Sequence, residues 1–437
     1  MPCFIQGYHL MRGSDESMMK ERIVISGGYK LQGTVNISGA KNAAVALLPA
    51  AILADDKVII SGVPRISDID YLCELLKELN CTIVNDKDCI TIDSKNFENT
   101  ALVKRSVDKL RASYYFMGAI LTKCKKVVIR SSGGCYLGPR PIDLHLKGFE
   151  ALGAKIDYKN DTYTITAEKL QGAKIYLDFA SVGATINILL AAVKAEGKTI
   201  IENAAKEPEI VDVANLLTKM GAKIQGAGTD KIIIEGVDYM HGCIHEMIPD
   251  RIEAGTFLII AAAVGKNITI KNIIPHHLES LTSKLFEMGV KMDIQNDQIV
   301  VYENEKGLNP VNVITQIYPG FATDLQQPLT ALLTQCIGKS KVIDTIYPER
   351  FGHCEQLNCM GANINKMDGE CEIMGPTKLS GRRVYATDLR CGAALLIAGL
   401  LAQGETEICN VYHIDRGYAN IDKKLISLGA VIRREYK

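Results

Sequence analysis

The sequence lacks a charge excess, an apolar run of membrane-spanning length and an export signal. Its 437 residues include 50 basic and 50 acidic side chains. This balance argues against a general nucleic-acid surface, although a local arginine cluster around a phosphate stays compatible with it. The longest apolar run, residues 257–264, is shorter than the ~18 residues of a membrane span. Residues 1–19 contain no apolar signal region and are expected to form a loose tail, with Met18 or Met19 as an alternative start.

Paired cysteines are also missing. The 13 cysteines are an odd number, and no two of them form a Cys-x-x-Cys pair. Several stand in apolar runs and are expected to be small core residues: Cys73, Cys81, Cys336, Cys371 and Cys409. Thiols used in this way are typical of a reducing compartment, so we expect a cytoplasmic protein without a disulfide framework.

What the sequence does contain is an internal repeat. A motif of Leu or Met, then Gly, then an apolar strand start recurs at spacings of 68 to 73 residues. Its glycine position is occupied by Asn80, Gly153, Gly221, Gly289, Gly361 and Gly429. Glycine, or asparagine as its best substitute, is typical of the left-handed residue that ends a helix. The motif therefore predicts six helix ends, each followed by a strand.

A second pattern has the same period. Six β-type segments each follow an uncharged apolar run such as residues 43–53 or 184–193, and a run that is apolar all round predicts a buried helix. The segments begin at Lys57, Lys126, Lys198, Asn267, Ser340 and Glu405. The strand before the apolar run opens with KLQG or KLSG at Lys30, Lys169 and Lys378. Because three motifs share one period, we interpret them as six units rather than as chance recurrence.

Each unit is predicted to run strand, buried helix, strand, loop, exposed helix, strand. Three such units make a domain of ordinary size. We therefore expect one domain over residues 41–249 and a second over residues 20–40 plus 250–437. The strand predicted over residues 23–37 precedes the first unit and is expected to complete the second domain.

Cations and small polar residues stand where the buried helices are predicted to begin. They are Lys41, Asn42, Arg111, Ser181, Val182, Gly183, Arg251, Thr323, Asp324 and Arg390, with Arg65, Arg140, Arg350 and Arg416 after the second strands. The helix dipole disfavours a cation at this end, so a polyanionic ligand would compensate the cost. Free backbone N–H groups after Ser38 are expected to help Lys41 bind that anion. The alternative is that each arginine pairs with a surface carboxylate.

The segment of residues 131–146, SSGGCYLGPRPIDLHL, is the most informative. Its glycines and prolines predict a loop, and Cys135 is flanked by glycines and followed by Arg140. An accessible thiol near positive charge has a lowered pKa and is a candidate reactive thiol. An inert thiol is the alternative.

This loop, GGCYLGPRPIDLHL, resembles the catalytic loop of the enolpyruvyl transferases that act on UDP-N-acetylglucosamine. The similarity extends from about residue 23 to residue 434. It includes NISGAKNAA at Asn36, LRAS at Leu110, SVGAT at Ser181, ENAAKEPEIVD at Glu202, TDLQ at Thr323, ATDLR at Ala386 and YHIDRGY at Tyr412.

The resemblance implies an α/β (α+β) fold, a two-domain inside-out α/β barrel of six βαβαββ units, three per domain, with the active site in the interdomain cleft. It also implies transfer of the enolpyruvyl group from phosphoenolpyruvate to UDP-N-acetylglucosamine with release of phosphate. No metal or organic cofactor, nucleic acid or membrane is implied. We expect a monomer whose partners are these two small molecules.

The resemblance also assigns roles to residues. Cys135 is implied to be the acid that protonates phosphoenolpyruvate and to form a covalent adduct with it, and Asp324 to be the base at the sugar 3′-hydroxyl. Lys41 and Arg416 complete the catalytic group. Phosphoenolpyruvate is implied to contact Lys41, Asn42, Arg140, Arg350, Arg390 and Arg416. UDP-N-acetylglucosamine is implied to contact Asn42, Arg111, Arg140, Pro141, Ile142, Asp143, Leu144, Ser181, Val182, Gly183, Asp324 and Ile346.

Three residues depart from the family pattern: Pro139 in the loop around Cys135, Phe179 where some members carry a lysine, and Glu349 before Arg350. Two other functions stay open. One is that of a shikimate-pathway sister enzyme, a family that lacks the thiol found here at Cys135, and the other is that of a non-catalytic thiol sensor of the same fold. His241, Cys243 and His245 alternate along a predicted strand, but no fourth ligand is nearby, so we expect no metal site there.

Overall fold

The computed structural model describes residues 21–102, 111–130 and 142–436. The fold is mixed α/β, and the chain divides into two compact units. The 38–250 unit consists of Ser38–Asp250 with Ile317–Pro319. The 251–437 unit consists of Arg251–Gln316 and the residues from Gly320 onwards, together with residues 21–37.

In the 38–250 unit, the described strands form three sheets. One has the order Ile244–Glu246, Val58–Ser61, Cys89–Asp93, Thr82–Asp86. The second has the order Lys126–Arg130, Thr162–Thr166, Lys155–Lys159. The third has the order Lys174–Tyr176, Lys198–Glu202, Lys231–Glu235, Lys223–Gln225. In the first and third sheets, the strands Val58–Ser61 and Lys198–Glu202 each have two neighbours. One neighbour is a short parallel strand, and the other is an antiparallel strand that belongs to a hairpin.

The described strands of the 251–437 unit also form three sheets. Their orders are Leu31–Asn36, Gly265–Lys271, Gln298–Tyr302, Met292–Ile294; then Asn312–Thr315, Gly338–Asp344, Glu370–Gly375, Ile364–Met367; and last Arg383–Tyr385, Glu405–Cys409, Glu21–Ser26, Val431–Tyr436. Each sheet again joins one parallel pair to antiparallel strands.

Among the described residues, six apolar helices lie in the interior of the units, three in each. They are Lys41–Ala50, Tyr115–Cys124 and Val182–Ala192, then Arg251–Val264, Thr323–Leu333 and Leu389–Leu401. Residues 184–192 are all buried. In the 38–250 unit the helix Tyr115–Cys124 packs against both of the other two, and in the 251–437 unit each of the three helices packs against the other two. Burying each leucine or isoleucine of such a helix stabilises the fold by about 1.5–3 kcal/mol. The buried helices predicted from the apolar runs are confirmed.

The remaining helices are shorter or amphipathic and cover the sheets. They are Ser67–Glu78, Asp143–Ala151, Pro208–Lys219, Glu279–Glu287, Gly352–Cys359, Tyr412–Asp415 and Ile421–Ser427, with 3-10 turns at Ala51–Leu53, Arg111–Tyr114 and Pro275–Leu278. Leu72, Leu75 and Leu76 of the first are buried while its other face carries charge. This division is what an amphipathic surface helix requires.

The strand predicted over residues 23–37 is two strands, Glu21–Ser26 and Leu31–Asn36, in different sheets. The break is set by Gly27, where a Cβ would lie 2.2 Å from the carbonyl oxygen of Gly399 and 2.3 Å from that of Ala402. Only glycine fits this approach to the end of a buried helix. Both strands pair with strands of residues 251–437.

The predicted helix ends are confirmed at every copy of the glycine motif. The φ angle is 59° at Asn80 and between 88° and 106° at Gly153, Gly221, Gly289, Gly361 and Gly429. A side chain is disfavoured in this left-handed region, and asparagine is the residue that tolerates it best after glycine. The repeated glycine therefore ends each amphipathic helix and turns the chain into the next strand.

Gly429 provides a test of this backbone requirement, because its φ is 97° and a Cβ there would meet nothing within 4 Å. We expect Gly429→Ala to lower the free energy of unfolding by about 1–2 kcal/mol through backbone strain alone. Gly429→Asn should lower it less. Urea unfolding measures both, and an alanine variant as stable as the parent would contradict the interpretation.

Candidate active site

Asp324 lies at the centre of a charge cluster in the 251–437 unit. It is the second residue of the helix Thr323–Leu333. Its Oδ1 accepts a hydrogen bond of 2.7 Å from Arg350 Nη1, and its Oδ2 accepts one of 3.0 Å from Arg390 Nη2. The side chains of Arg350 and Arg390 are 5% and 3% exposed, whereas that of Asp324 is 24% exposed. The carboxylate is therefore the part of this cluster that a small molecule can reach.

The two arginines determine the charge state of Asp324. Burial alone would raise the pKa of its carboxyl, but the charges of Arg390 and Arg350 and their hydrogen bonds hold that pKa well below its ordinary value. Burial would lower the pKa of the Arg350 guanidinium, and the charge of Asp324 raises it. All three groups are thus ionised at neutral pH.

Each arginine is fixed by its own surroundings. Arg350 precedes the helix Gly352–Cys359, and its carbonyl accepts a 2.8 Å hydrogen bond from Gln326 Nε2. Arg390 lies in the first turn of the helix Leu389–Leu401, where the Asp388 carboxylate caps the backbone N–H groups of Arg390 and Cys391 at 2.8 and 3.1 Å. Charge-assisted bonds of this kind hold geometry more firmly than neutral ones.

The carboxylate partners change the interpretation of the cations. The alternative interpretation is that each arginine pairs with a surface carboxylate. Arg350 and Arg390 do pair with a carboxylate, that of Asp324, and Lys41 pairs with Asp68. However, these partners are buried or only partly exposed, not free at the surface. An anionic ligand would therefore join existing ion pairs rather than meet lone cations.

Arg416 follows the short helix Tyr412–Asp415 and is half-buried. Its neighbour Asp415 is held by Arg434, whose Nη1 and Nη2 donate to the two carboxylate oxygens at 3.0 and 2.7 Å. Burial, together with the charge of Arg416, lowers the pKa of His413 to about 4. His413 is therefore neutral at neutral pH, and Arg416 carries the positive charge of this segment.

In the 38–250 unit, Lys41 is the first residue of the helix Lys41–Ala50. Its Nζ lies 2.9 Å from Oδ2 of Asp68, and the two side chains are 15% and 2% exposed. Sequence reasoning missed Asp68, because an acidic residue in the first turn of an amphipathic helix normally only complements the helix dipole. Asn42 follows in the same turn and is half-buried.

The expectation of free backbone N–H groups at Lys41 is wrong. The N–H of Lys41 donates to Oδ2 of Asp250 at 2.9 Å, and that of Ala40 donates to the carbonyl of Ile248 at 2.8 Å. Asp250 thus satisfies the helix start that was expected to bind a ligand anion. Lys41 can contribute its side chain but not its amide.

The predicted sugar-nucleotide residues of this unit lie at two helix starts. Ser181 caps the helix Val182–Ala192, with its Oγ accepting from the N–H of Ala184 at 3.3 Å, and Val182 and Gly183 are half-buried. Ile142 is buried before the helix Asp143–Ala151, which begins with exposed Asp143 and half-buried Leu144.

These two helix starts are tied together. Lys147 Nζ lies 2.6 Å from Oδ2 of Asp178. The buried ring of His145 lies against Gly183, where a Cβ would come within 3.0 Å of it. Asn187 Nδ2 donates to His145 Nδ1 at 2.8 Å, so a neutral His145 carries its proton on Nε2. A larger residue at Gly183 would therefore have to displace the His145 ring by a few tenths of an ångström.

Ile346, the predicted sugar-nucleotide contact of the other unit, lies in the loop after the strand Gly338–Asp344. Its N–H donates to Oδ1 of Asp344 at 3.0 Å. Sequence reasoning missed Asp344, although a carboxylate directly after the apolar pair Val342 and Ile343 at the end of a strand was a usable signal.

The remaining expected contacts lie elsewhere. Cys135, Pro139, Arg140 and Pro141 fall outside the described residues. Arg111 begins the 3-10 turn Arg111–Tyr114. Of the departures from the family pattern, Phe179 is 49% exposed and Glu349 is exposed.

The thiols expected in the core are buried at Cys73, Cys81, Cys336 and Cys371, whereas Cys409 is half-buried. Burial raises the pKa of the Cys73 and Cys81 thiols to about 11 and that of Cys336 to about 12. These thiols are protonated and unreactive at neutral pH. They provide internal references for any labelling of an accessible cysteine.

His241 and Cys243 precede the strand that contains His245, so the strand does not bring these three side chains to one face. The strand starts only at Ile244, His241 is exposed, and buried His245 pairs through Nε2 with Asp212 Oδ1 at 2.9 Å. Within residues 21–102, 111–130 and 142–436, no group of three His, Cys, Asp or Glu side chains could hold a metal ion. Over the same ranges, no helix has the length and apolarity to cross a membrane.

Comparison with known proteins identifies close relatives. Residues 25–425 match the family model described as EPSP synthase (3-phosphoshikimate 1-carboxyvinyltransferase). The chain is 57% identical, over 416 residues, to UDP-N-acetylglucosamine 1-carboxyvinyltransferase 2 of Listeria monocytogenes, covering 95% of this chain and 98% of that protein. It is equally 57% identical to the enzyme of the same name from Bacillus subtilis, with 95% and 97% covered.

Solved structures resemble it as well. The enolpyruvyl transferase NikO from Streptomyces tendae is 25% identical, with a TM-score of 0.87 over 96% of this chain and 99% of that one. EPSP synthase from Acinetobacter baumannii, at 18% identity, has a TM-score of 0.73 over 95% and 100%, which is a likeness of fold alone.

The charge cluster gives a prediction for stability against pH. Asp324→Asn removes the charged carboxylate that two buried arginines share, so the free energy of unfolding at pH 7 should fall by roughly 3 kcal/mol. Because the pKa of Asp324 is lower in the folded than in the unfolded chain, its contribution is complete above about pH 4 and is lost as the pH falls further.

Denaturant unfolding between pH 7 and pH 3 measures this difference. The difference in the free energy of unfolding between the parent and Asp324→Asn should become smaller below about pH 4. Asp297→Asn, which changes an exposed carboxylate of the same unit, is the control and should have little effect. A gap that stays constant down to pH 3 would contradict the charge-cluster interpretation.

Proposed function

The chain belongs to the EPSP synthase (3-phosphoshikimate 1-carboxyvinyltransferase) family, and we propose that it transfers the enolpyruvyl group of phosphoenolpyruvate to the 3′-hydroxyl of UDP-N-acetylglucosamine, releasing phosphate. This addition–elimination is the first committed step of peptidoglycan synthesis. The observation that carries the proposal is the partly exposed Asp324 carboxylate between two buried arginines, in a chain 57% identical over 95% of its length to enzymes named for this reaction.

Asp324 is the proposed base. With its pKa held well below the ordinary value, it is a poor proton acceptor in the free protein. Phosphoenolpyruvate brings negative charge to the same arginines, and a neighbouring anion raises a carboxyl pKa. Substrate binding thus strengthens the base at the step where the sugar 3′-hydroxyl must lose its proton.

Cys135 is the proposed acid. Its proton goes to the methylene carbon of phosphoenolpyruvate, which makes C2 an electrophile, and the 3′-oxygen then bonds to C2. The Cys135 thiolate then takes back a proton from the new methyl group as phosphate departs, which restores both the double bond and the thiol. A well-placed acid contributes about 10²–10⁴-fold to such a step. Covalent attachment of Cys135 to phosphoenolpyruvate is a further proposed property of this thiol.

The cations are proposed to hold the phosphate and carboxylate of phosphoenolpyruvate. This group comprises Lys41, Asn42, Arg140, Arg350, Arg390 and Arg416. Fixed donors aimed at a leaving phosphate stabilise the charge that develops on it. The sugar nucleotide is proposed to contact Asn42, Arg111, Arg140, Pro141, Ile142, Asp143, Leu144, Ser181, Val182, Gly183, Asp324 and Ile346.

We propose that the fold is a two-domain inside-out α/β barrel of six βαβαββ units. Support comes from the six apolar helices, the six sheets of the described residues and the common glycine end of the amphipathic helices. The proposed domains are residues 41–249 and residues 20–40 plus 250–437, and both contribute residues to the proposed reaction. We also propose a cytoplasmic monomer, a location consistent with its free, buried thiols.

The main competing function is enolpyruvyl transfer to shikimate 3-phosphate, the activity for which the family is named. Phosphate release from phosphoenolpyruvate distinguishes the two. We expect rapid release with UDP-N-acetylglucosamine and none with shikimate 3-phosphate, and Asp324→Ala should lower the rate at least 100-fold. Release with shikimate 3-phosphate alone would overturn the proposal, and no release with either would leave the thiol-sensor alternative.

Cys135 can be tested by labelling. The epoxide fosfomycin should add its mass to Cys135, since a reactive thiol must be accessible and partly ionised. Buried Cys73 and Cys336 serve as internal controls and should stay unlabelled. Cys135→Ser should abolish labelling and most turnover while UDP-N-acetylglucosamine still binds. A fully active serine variant would contradict the assignment of the acid.

A further inference from the structure

We propose that Asp344 is a positioning residue whose two carboxylate oxygens separately fix the helix that carries Asp324 and the loop that carries Ile346. The inference rests on the proposed function and adds a residue to it. Asp344 ends the strand Gly338–Asp344, and its side chain is 1% exposed. It therefore acts through other residues rather than by touching a substrate.

The Oδ2 oxygen is linked to the catalytic carboxylate of Asp324 through two residues, Thr323 and Arg350. Thr323 Oγ1 donates to Asp344 Oδ2 at 2.7 Å. Since a hydroxyl has a single proton, this bond leaves its lone pairs to accept from Arg350 Nη1 at 3.4 Å. The same Nη1 donates to Asp324 Oδ1 at 2.7 Å. Asp344 thereby sets which way the Thr323 hydroxyl points, and Thr323 supports the arginine that holds Asp324.

The Oδ1 oxygen faces the proposed sugar-nucleotide loop. It accepts from Thr315 Oγ1 at 2.7 Å, from the N–H of Ile346 at 3.0 Å and from the N–H of Tyr347 at 2.8 Å. Thr345 adds to this contact, because its N–H donates to Thr315 Oγ1 at 3.1 Å and its Oγ1 donates to the Thr315 carbonyl at 2.6 Å. The loop start is thus fastened to the neighbouring strand through one carboxylate oxygen.

The chemistry requires a carboxylate rather than an amide at this position. Four donors point at the two oxygens of Asp344, and only an ionised carboxylate accepts at both ends. In Asp344→Asn, the amide oxygen would face the three donors of the loop and the NH₂ group would face Thr323. The Thr323 hydroxyl would then have to turn its proton away, which disturbs its contact with Arg350.

Two nearly isosteric variants separate the two branches, which are the contacts made by Asp344 Oδ2 and those made by Asp344 Oδ1. Thr323→Val removes the Oδ2 branch, and Thr315→Val removes a donor of the Oδ1 branch. We expect Thr323→Val to lower kcat about tenfold while the KM for UDP-N-acetylglucosamine changes less. With Arg350 less well held, the pKa of Asp324 rises towards its ordinary value, so the acid limb of the pH–rate profile should move to higher pH.

Thr315→Val should affect KM rather than kcat. Its KM for UDP-N-acetylglucosamine should rise several-fold while its kcat stays within about twofold of the parent value. Asp344→Asn should resemble Thr323→Val, and Thr323→Ser should restore the parent rate. The control is Ser340→Ala on the same strand, whose buried Oγ accepts from the N–H of Val311 at 3.2 Å and contacts neither branch. It should melt at a lower temperature with kcat and KM unchanged.

The inference is overturned if Thr323→Val and Thr315→Val melt like Ser340→Ala and keep the parent kcat, KM and pH profile, because Asp344 would then be only structural. Should Thr323→Val fail to fold, Thr323→Ala takes its place with the same expectations. The parent protein is assayed alongside. If it releases no phosphate, the proposed function fails and this inference with it, whereas an active parent with unchanged variants removes the inference alone.

Discussion

The ion pairs that join Asp324 to Arg350 and Arg390 are the interaction on which the candidate site depends. A buried guanidinium without a partner is costly, so both arginines must converge on a carboxylate. They come from two different helix starts, and each is fixed in turn, Arg390 by the cap of its own helix and Arg350 by Gln326. One carboxylate thereby holds three elements of the 251–437 unit in a common arrangement around an accessible oxygen.

The position of these groups follows from the apolar helices. On a helix that is buried on every side, a polar side chain needs a buried partner, as Asn187 and Gln326 have. The charged and capping groups of the candidate site stand instead at the start of such a helix. Lys41, Ser181, Asp324 and Arg390 all stand at such a start or at its cap. The helix dipole favours the anions there and disfavours the cations, and Asp68 and Asp324 offset that cost for Lys41 and Arg390.

Much of the fold could be predicted from the sequence, because burial leaves a periodic signal. Helix ends at Asn80 and Gly429 and the apolar helix around residues 184–192 are confirmed. The break at Gly27 was not predicted, since it depends on the distant carbonyl of Gly399. Similarly, motifs indicated Lys41 and Asp324 but not Asp68 or Asp344, because no periodicity reports which polar groups from separate segments will meet.

The most direct test of the account is a crystal structure of the protein with UDP-N-acetylglucosamine. The account predicts that the sugar 3′-hydroxyl lies within about 2.6–3.2 Å of an Asp324 carboxylate oxygen, with Arg390 still paired to the other oxygen. A sugar whose 3′-hydroxyl faces away from Asp324, or a nucleotide sugar bound elsewhere on the chain, would contradict it.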